Sequence, residues 1–391
     1  MTGKNSNQDQ KFRSPSNSSK LSKVVCITGC LGFIGSYITR ECLNKGWKVW
    51  GVDKITYAAR PELIDEFSAY GNSFMFEQKD INDISFLYDI DYLINVAAET
   101  HVDNSISSSD EFIHSNINGV HHLLKLINKI KGYKMPTLLH FSTDECYGDI
   151  SNGSHTEDDL LKPSNPYSAT KAAADMLITA WSRTHNIPYI IVRPTNNYGM
   201  GQYPEKLIPR VCKLLPMGKK IPLHNYGTPR RMWLHAKDTS KAVIKIIEEG
   251  KKNEIYNISG NYEAENIEVI KKIVKCLYPL NEKTGDGKDP WTQIINCKIP
   301  YQNIHLSNGT SAFGFHEEII KDGVMVKRID EFQEFHTNMQ EMCDFTYSRD
   351  GQDVRYSLDD SKLRKLGWEP KAIFDNELLS IVEYYKENFI W

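Results

Sequence analysis

From residue 24 onward, short apolar runs alternate with longer stretches in which apolar residues recur every three or four positions. The runs at 24–28, 48–53, 74–78, 92–97, 138–142 and 189–192 are too short for helices and read as buried strands. Residues 34–44, 111–130 and 167–185 carry helical periodicity and fall between strands. Strand then helix, repeated, predicts an α/β protein built on a parallel, doubly wound sheet covered by helices on both faces. Past about residue 195 the rhythm loosens, and Pro194, Pro204, Pro209, Pro216, Pro222 and Pro229 punctuate short elements. A smaller mixed α/β lobe is therefore expected over 195–391, with some segments returning to a first domain spanning 23–194. Residues 282–341 show weak periodicity and exceed any ordinary connection, which predicts an atypical insertion. Periodicity returns at 361–366 and 376–388, read as two C-terminal helices. Residues 1–22 are rich in Ser and Asn, lack an apolar period, and read as a disordered tail.

Composition narrows the classes. The 391 residues carry 47 Lys and Arg against 50 Asp and Glu, a net charge of -3, which gives no reason to expect nucleic acid or a membrane surface as partner. No uncharged apolar run approaches the ~18 residues of a membrane span, and residues 1–20 hold no apolar signal core, so a cytoplasmic protein is expected. The eight cysteines form no C-x-x-C pair and the histidines no H-E-x-x-H spacing, so neither disulfides nor a metal site are expected.

Candidate chemistry begins at Thr28-Gly29-Cys30-Leu31-Gly32-Phe33-Ile34-Gly35. These glycines follow a strand and open a helix, the setting in which backbone turns tightly and approaches a pyrophosphate at the helix N-terminus. The second strand ends in Asp53, eighteen residues past Gly35, where a carboxylate accepts ribose hydroxyls and repels a 2′-phosphate. Strand, helix and acid together predict a Rossmann domain that binds NAD rather than NADP. Asp80-Ile81, after the third strand, suit the adenine side, although an Asp there serves a turn equally well.

Tyr167 and Lys171 stand four residues apart on one helix face, so both can address one reacting centre. A nearby cation is expected to lower the Tyr pKa and make the phenol a usable base. Ser142-Thr143-Asp144-Glu145 closes the fifth strand, where open α/β sheets place their ligands. Thr143 can hydrogen-bond a substrate hydroxyl, and two adjacent carboxyls can divide proton donation from abstraction if their surroundings separate their pKa values. Taken singly, the acids could equally be a solvated turn; beside Tyr167 and Lys171 they read as catalytic.

With these motifs, Asn95-Val-Ala97-Ala98-Glu-Thr-His-Val-Asp103, Asn196-Asn-Tyr-Gly199, Pro204-Glu-Lys206-Leu-Ile-Pro209 and Gly351-Gln-Asp-Val-Arg-Tyr356 complete a resemblance. Residues 24–281 and 343–370 resemble an extended short-chain dehydrogenase/reductase, and within it the dTDP-glucose 4,6-dehydratases. Thr-Asp-Glu is the discriminating element, since the similar epimerases and decarboxylases keep Tyr and Lys without the acidic pair.

The resemblance implies a redox-neutral cycle on a nucleotide-linked hexose, in deoxysugar biosynthesis such as that of rhamnose. Tyr167, with Lys171 and Thr143, would take the O4 proton as C4 is oxidised by NAD; Glu145 would take the C5 proton; Asp144 would protonate the departing C6 hydroxyl. It also implies a cofactor site drawing on Gly29, Gly32, Phe33, Ile34, Gly35, Asp53, Asp80, Ile81, Ala97, Ala98, Tyr167 and Lys171. For the sugar nucleotide it points to Thr143, Asn196, Lys206, Arg231, Asn266 and Arg349, and for assembly to a homodimer. His101 reads as ordering the loop after the fourth strand, and Asn116 matches a superfamily Asn that holds water or backbone near Lys171. Two departures touch the nucleotide pocket: Gly351-Gln352 after Arg349-Asp350, where Pro and His are usual around the Gly, and Met232 where Asp is usual. dTDP-glucose, UDP-glucose and UDP-N-acetylglucosamine thus all stand as substrates. A 4-epimerase or decarboxylase is the competing enzyme, and an inactive NAD-binding scaffold the competing reading of another class.

Overall fold

The computed structural model describes residues 22–130, 134–278, 339, 341–347 and 353–388. The regions expected as a tail (1–22) and an insertion (282–341) fall almost wholly outside the described residues. Seven strands form one sheet: β1 (Val24–Thr28), β2 (Lys48–Asp53), β3 (Phe74–Gln78), β4 (Tyr92–Asn95), β5 (Thr137–Phe141), β6 (Tyr189–Pro194) and β10 (Glu254–Ile258). Their order is β10-β6-β5-β4-β1-β2-β3, with every neighbouring pair parallel. The order reverses between β1 and β4, which opens a crevice at their C-terminal ends, the usual ligand position in such sheets.

Period-two alternation divides the sheet's side chains between two cores. Val25 and Ile27 of β1 join Val49, Ile94, Leu139 and Ile190 on one face, under α1 (Phe33–Asn44) and α7 (Ala236–Glu249). Val24 and Cys26 join Trp50, Leu93, Leu138 and Ile191 on the other, under α4 (Gly119–Asn128) and α5 (Pro166–His185). Between β1 and α5 lie two short helices, α2 (Leu63–Ser68) and α3 (Val102–Ser107). Burial on both faces accounts for the near-continuous apolar runs.

A third core lies apart from these two. There β7 (Asn196–Tyr198), β9 (Arg230–His235) and β11 (Tyr262–Glu265) form a small mixed sheet, ordered β11-β9-β7. Tyr198 and Trp233 from that sheet pack with Ile208 of α6 (Leu207–Leu214), Ile270 of α8 (Asn266–Leu277) and Leu378 of α9 (Phe374–Glu387). A two-stranded pair, β8 (Ile221–Pro222) with β12 (Cys343–Asp344), adds Ile221 and Cys343 to this core.

Two segments depart from the sequence expectation. The helix expected over 111–130 is broken into a turn at Asp110–Phe112, a π-helical stretch at Ile113–Asn118, and α4. The wider π turn carries Asn116, whose amide bonds both the N–H and the C=O of Glu99, each at 3.0 Å. Such bulges recur where a helix must aim a side chain out of register. The fourth strand stops at Asn95 rather than Ala97, because the backbone of Ala97 lies under Gly29 and has left the sheet.

Candidate active site

The cofactor crevice is built from backbone. Gly29 has φ +70°, and a Cβ there would lie 2.8 Å from the Ala97 nitrogen; a Cβ on Gly35 would lie 1.9 Å from the Gly29 oxygen. Both positions admit only glycine. Gly32 stands at the N-cap of α1, which no side chain caps, so the first N–H groups of the helix face the crevice as an anion site. Gly32, Phe33, Ile34, Asp53, Asp80, Ile81, Ala97 and Ala98 all line the same cleft as Tyr167 and Lys171. The Asp53 carboxylate accepts from the N–H of Leu31 (3.0 Å) and of Ile55 (2.8 Å), while burial pushes its pKa up. These two bonds fix its direction at the strand end and leave lone pairs for ribose hydroxyls. Asp80 accepts from the Asn82 N–H (2.8 Å) and lies 3.7 Å from Lys54, and Ile81 packs against Gly119. A glycine turn without a Cβ, an uncapped helix start and an oriented carboxylate fit a dinucleotide.

Beyond β5 the chain turns at Asp144–Tyr147, capped by Thr143, whose Oγ1 accepts from the Glu145 N–H (3.4 Å) and donates to Asp144 Oδ1 (3.2 Å). Asp144 is buried, and its Oδ2 has no partner among the described residues. Burial and the neighbouring Glu145 push its pKa up to about 7. Burial also raises Glu145, but Arg231 and Lys206 pull it back, and Asn165 Nδ2 donates to its Oε2 at 3.4 Å. The two carboxyls thus occupy distinct surroundings.

α5 starts where Asn165 accepts from the Ser168 N–H (2.9 Å) and Ser168 Oγ answers the Asn165 N–H (3.3 Å), with Pro166 at the first helical position. Tyr167 and Lys171 follow on its buried face. The expected depression of Tyr167 is not found. Burial and the Glu145 carboxylate push the phenol well up, against a hydrogen bond with Thr143. The Lys171 ammonium instead lies 3.5 Å from His140 Nε2, and burial brings its pKa down to about 8 against the pull of Asp175. Asn116 donates to Thr170 Oγ1 (3.0 Å) and so anchors the residue preceding Lys171. His101 Nδ1 accepts from the Asn104 N–H (3.3 Å), capping α3 in the loop after β4.

The residues suggested for the sugar nucleotide divide. Asn196 and Lys206 line the cleft with Thr143 and Glu145, and Lys206 Nζ donates to Thr100 O at 2.9 Å. Arg231 is buried beside it, donating to Asp353 O (3.0 Å) and stacking over the Tyr356 ring at 4.4 Å. Asn266 opens α8 and does not line this cleft, and Arg349 and Gly351-Gln352 lie outside the described residues. Met232 stands opposite Glu263 in the β9–β11 ladder.

Several residues were not singled out from sequence. Arg193 and Asp175 pair at 2.9 Å beneath the site, where Asp175 also accepts from Ser142 (2.9 Å). Arg193 continues to the Tyr147 hydroxyl (2.7 Å), which donates to Asn257 (2.9 Å). Asn165 was legible as a helix-start residue before Pro166. His140 left one signal, a polar residue inside an apolar strand.

Residues 25–259 match the NAD dependent epimerase/dehydratase family, and the chain belongs to it. It is 34% identical over 380 residues to the dTDP-glucose 4,6-dehydratase of Haemophilus influenzae, covering 93% of this chain and 98% of that one. The crystal structure of the dTDP-glucose 4,6-dehydratase of Streptomyces venezuelae, with NAD and TYD bound, superposes with a TM-score of 0.74 at 30% identity, covering 93% and 97%. A UDP-glucuronic acid 4-epimerase from Bacillus cereus shares the fold at 22% identity, with a TM-score of 0.70 and coverage of 93% and 99%. Within the family the chain therefore falls with the dTDP-glucose 4,6-dehydratases, as an NAD-dependent hydro-lyase.

Proposed function

We propose that this chain converts a nucleoside-diphosphate glucose, with dTDP or UDP as carrier, to the 4-keto-6-deoxy product in deoxysugar biosynthesis, with UDP-N-acetylglucosamine as a further candidate. The observation that carries the reading is the pair Asp144 and Glu145 beside Tyr167, with Asp144 raised to about 7 and so keeping a large protonated fraction near neutrality. An acid with a protonated fraction at neutral pH can donate to a departing hydroxyl, while a neighbouring carboxyl in different surroundings serves as the base.

Tyr167, oriented by Thr143, takes the O4 proton, with the Lys171 ammonium supplying positive charge nearby. NAD, when bound, supplies reversible acceptance of the C4 hydrogen with its electron pair. The C4 carbonyl acidifies C5–H, and Glu145 removes that proton. Asp144 gives its proton to the C6 oxygen, which leaves as water. Glu145 would return its proton to C5 as C6 regains the hydrogen removed from C4, and the proton taken by Tyr167 would replace through solvent the one given by Asp144, so the net change is loss of one water. Asn196, Lys206, Arg231 and Arg349 would hold the sugar nucleotide, the cations meeting its diphosphate. Residues 23–194 would mainly hold the cofactor and 195–391 the substrate.

Exposed Ile106, Ile113 and Met176, on α3, the π segment and α5, favour a homodimer through these helices. Among the described residues no helix is long and apolar enough to cross a membrane, and we place the activity in the cytoplasm. Incubation with dTDP-glucose, UDP-glucose, UDP-N-acetylglucosamine and GDP-mannose, compared by kcat/KM, tests the substrate. A marked preference for GDP-mannose would contradict it.

A further inference from the structure

A row of buried polar side chains crosses the sheet just below the active site. Thr28, Asn95 and His140 are register partners on the adjacent strands β1, β4 and β5, and each is at most 1% exposed. Thr28 Oγ1 lies 2.6 Å from Asn95 Oδ1, Asn95 Nδ2 lies 3.0 Å from His140 Nδ1, and His140 Nε2 lies 3.5 Å from Lys171 Nζ. The row therefore runs from the residue before the glycine turn to the lysine of the reaction centre. Polar groups in so apolar a sheet are costly unless fully paired, which makes the direction of each bond a constraint.

The direction follows from Thr28. Its oxygen receives the Ala97 N–H at 3.5 Å, and its own proton has Asn95 Oδ1 as acceptor. Asn95 then presents its NH2 to His140 Nδ1, which must accept, so the single proton of a neutral imidazole sits on Nε2. Burial, Lys171 and Arg193 all hold His140 neutral, well below its ordinary pKa. An Nε2–H facing an ammonium sets donor against donor; facing a neutral amine it has a lone pair to bond. We propose that His140, held in its Nε2–H tautomer by Asn95 and Thr28, is a positioning residue that sets a donor against the charged form of Lys171. The remaining groups around Lys171 are Asp175, one turn along α5, Cys146 from the turn after β5, and Tyr167 one turn before; Arg193 of β6 acts on His140. Asp175 and Cys146 favour the ammonium and burial works against it; the proposed donor of His140 adds to burial.

The inference rests on Lys171 acting as an ammonium in C4 oxidation, and two readouts keep the claims apart. The first is 15N-histidine NMR of the chain without substrate, with the His140 signals assigned by their loss in His140→Gln. The expected pattern is an unprotonated Nδ1 and protonated Nε2, reversed in Asn95→Asp, whose carboxylate can only accept from Nδ1. The second is the pH profile of C4 oxidation in a single turnover, followed by reduced-nicotinamide absorbance. Its alkaline limb should move up by ~1 pH unit, the scale of one charged or hydrogen-bonding neighbour, in His140→Gln and Asn95→Asp, and in the same direction in the near-isosteric Thr28→Val. A protonated Nδ1 in the unaltered chain, or a limb that stays in place in folded Thr28→Val and Asn95→Asp, overturns the proposal. Full oxidation by Lys171→Met would instead overturn the role of the lysine, leaving the tautomer result standing.

Discussion

Asp144 and Glu145 are neighbours in sequence, yet they bond opposite walls of the cleft: Asp144 takes the Thr143 hydroxyl at 3.2 Å, and Glu145 takes the Asn165 amide from the start of α5 at 3.4 Å. The first partner belongs to the end of β5 and the second to the cap of the helix that carries Tyr167. That separation gives two identical functional groups different surroundings.

Asp144 is expected to act while protonated. Its pKa is raised to about 7, so the donor form is full below that pH and lost as pH rises through it. The elimination step should weaken above about pH 7. Asp144→Asn should slow it by ~10²–10⁴-fold, the usual worth of a positioned acid, remove that limb, and leave C4 oxidation near its original rate. Rapid-quench analysis of water loss beside reduced-nicotinamide absorbance measures the two steps.

Glu145→Gln removes the C5 base and spares the charge-independent geometry. Bound reduced nicotinamide should build up in a single turnover, with C5 exchange in deuterated water and product formation both suppressed by ~10²-fold or more. Turnover at the original rate would exclude Glu145 from this role.

Asp175 and Arg193 form an ion pair with both side chains at 3% exposure. Asp175→Asn leaves the guanidinium buried without its counter-charge, and urea unfolding should show a loss of ~3–5 kcal/mol. Arg193→Met combined with Asp175→Leu should recover much of that stability. Because Ser142 bonds the same carboxylate, activity should fall in both variants.

Asn165 has two duties. Asn165→Ala loses the helix cap, costing about 1 kcal/mol, and frees the Glu145 carboxylate from its donor. kcat should drop more than KM rises, since the substrate's nucleotide end is held elsewhere.

Strand positions in the main sheet were legible because burial on both faces leaves apolar runs with polar boundaries, and β1, β2 and β3 start and stop where the runs do. The glycine turn, Asp53 and the acidic pair were legible because their chemistry is local in sequence. The π stretch at Ile113–Asn118 was hidden, since its cause is a distant contact from Asn116 to Glu99. The direction of the Tyr167 shift was likewise hidden. Spacing put Lys171 on the same helix face, while folding turned its head toward His140 and brought carboxylates to the phenol.

The most direct test of the dehydratase reading is proton NMR of the product formed from dTDP-glucose or UDP-glucose with NAD. Dehydration predicts a new C6 methyl signal and a 4-keto sugar, with one water lost per turnover and NAD unchanged at the end. A product that keeps its C6 hydroxymethyl group and is inverted at C4 would contradict the account and make the chain an epimerase.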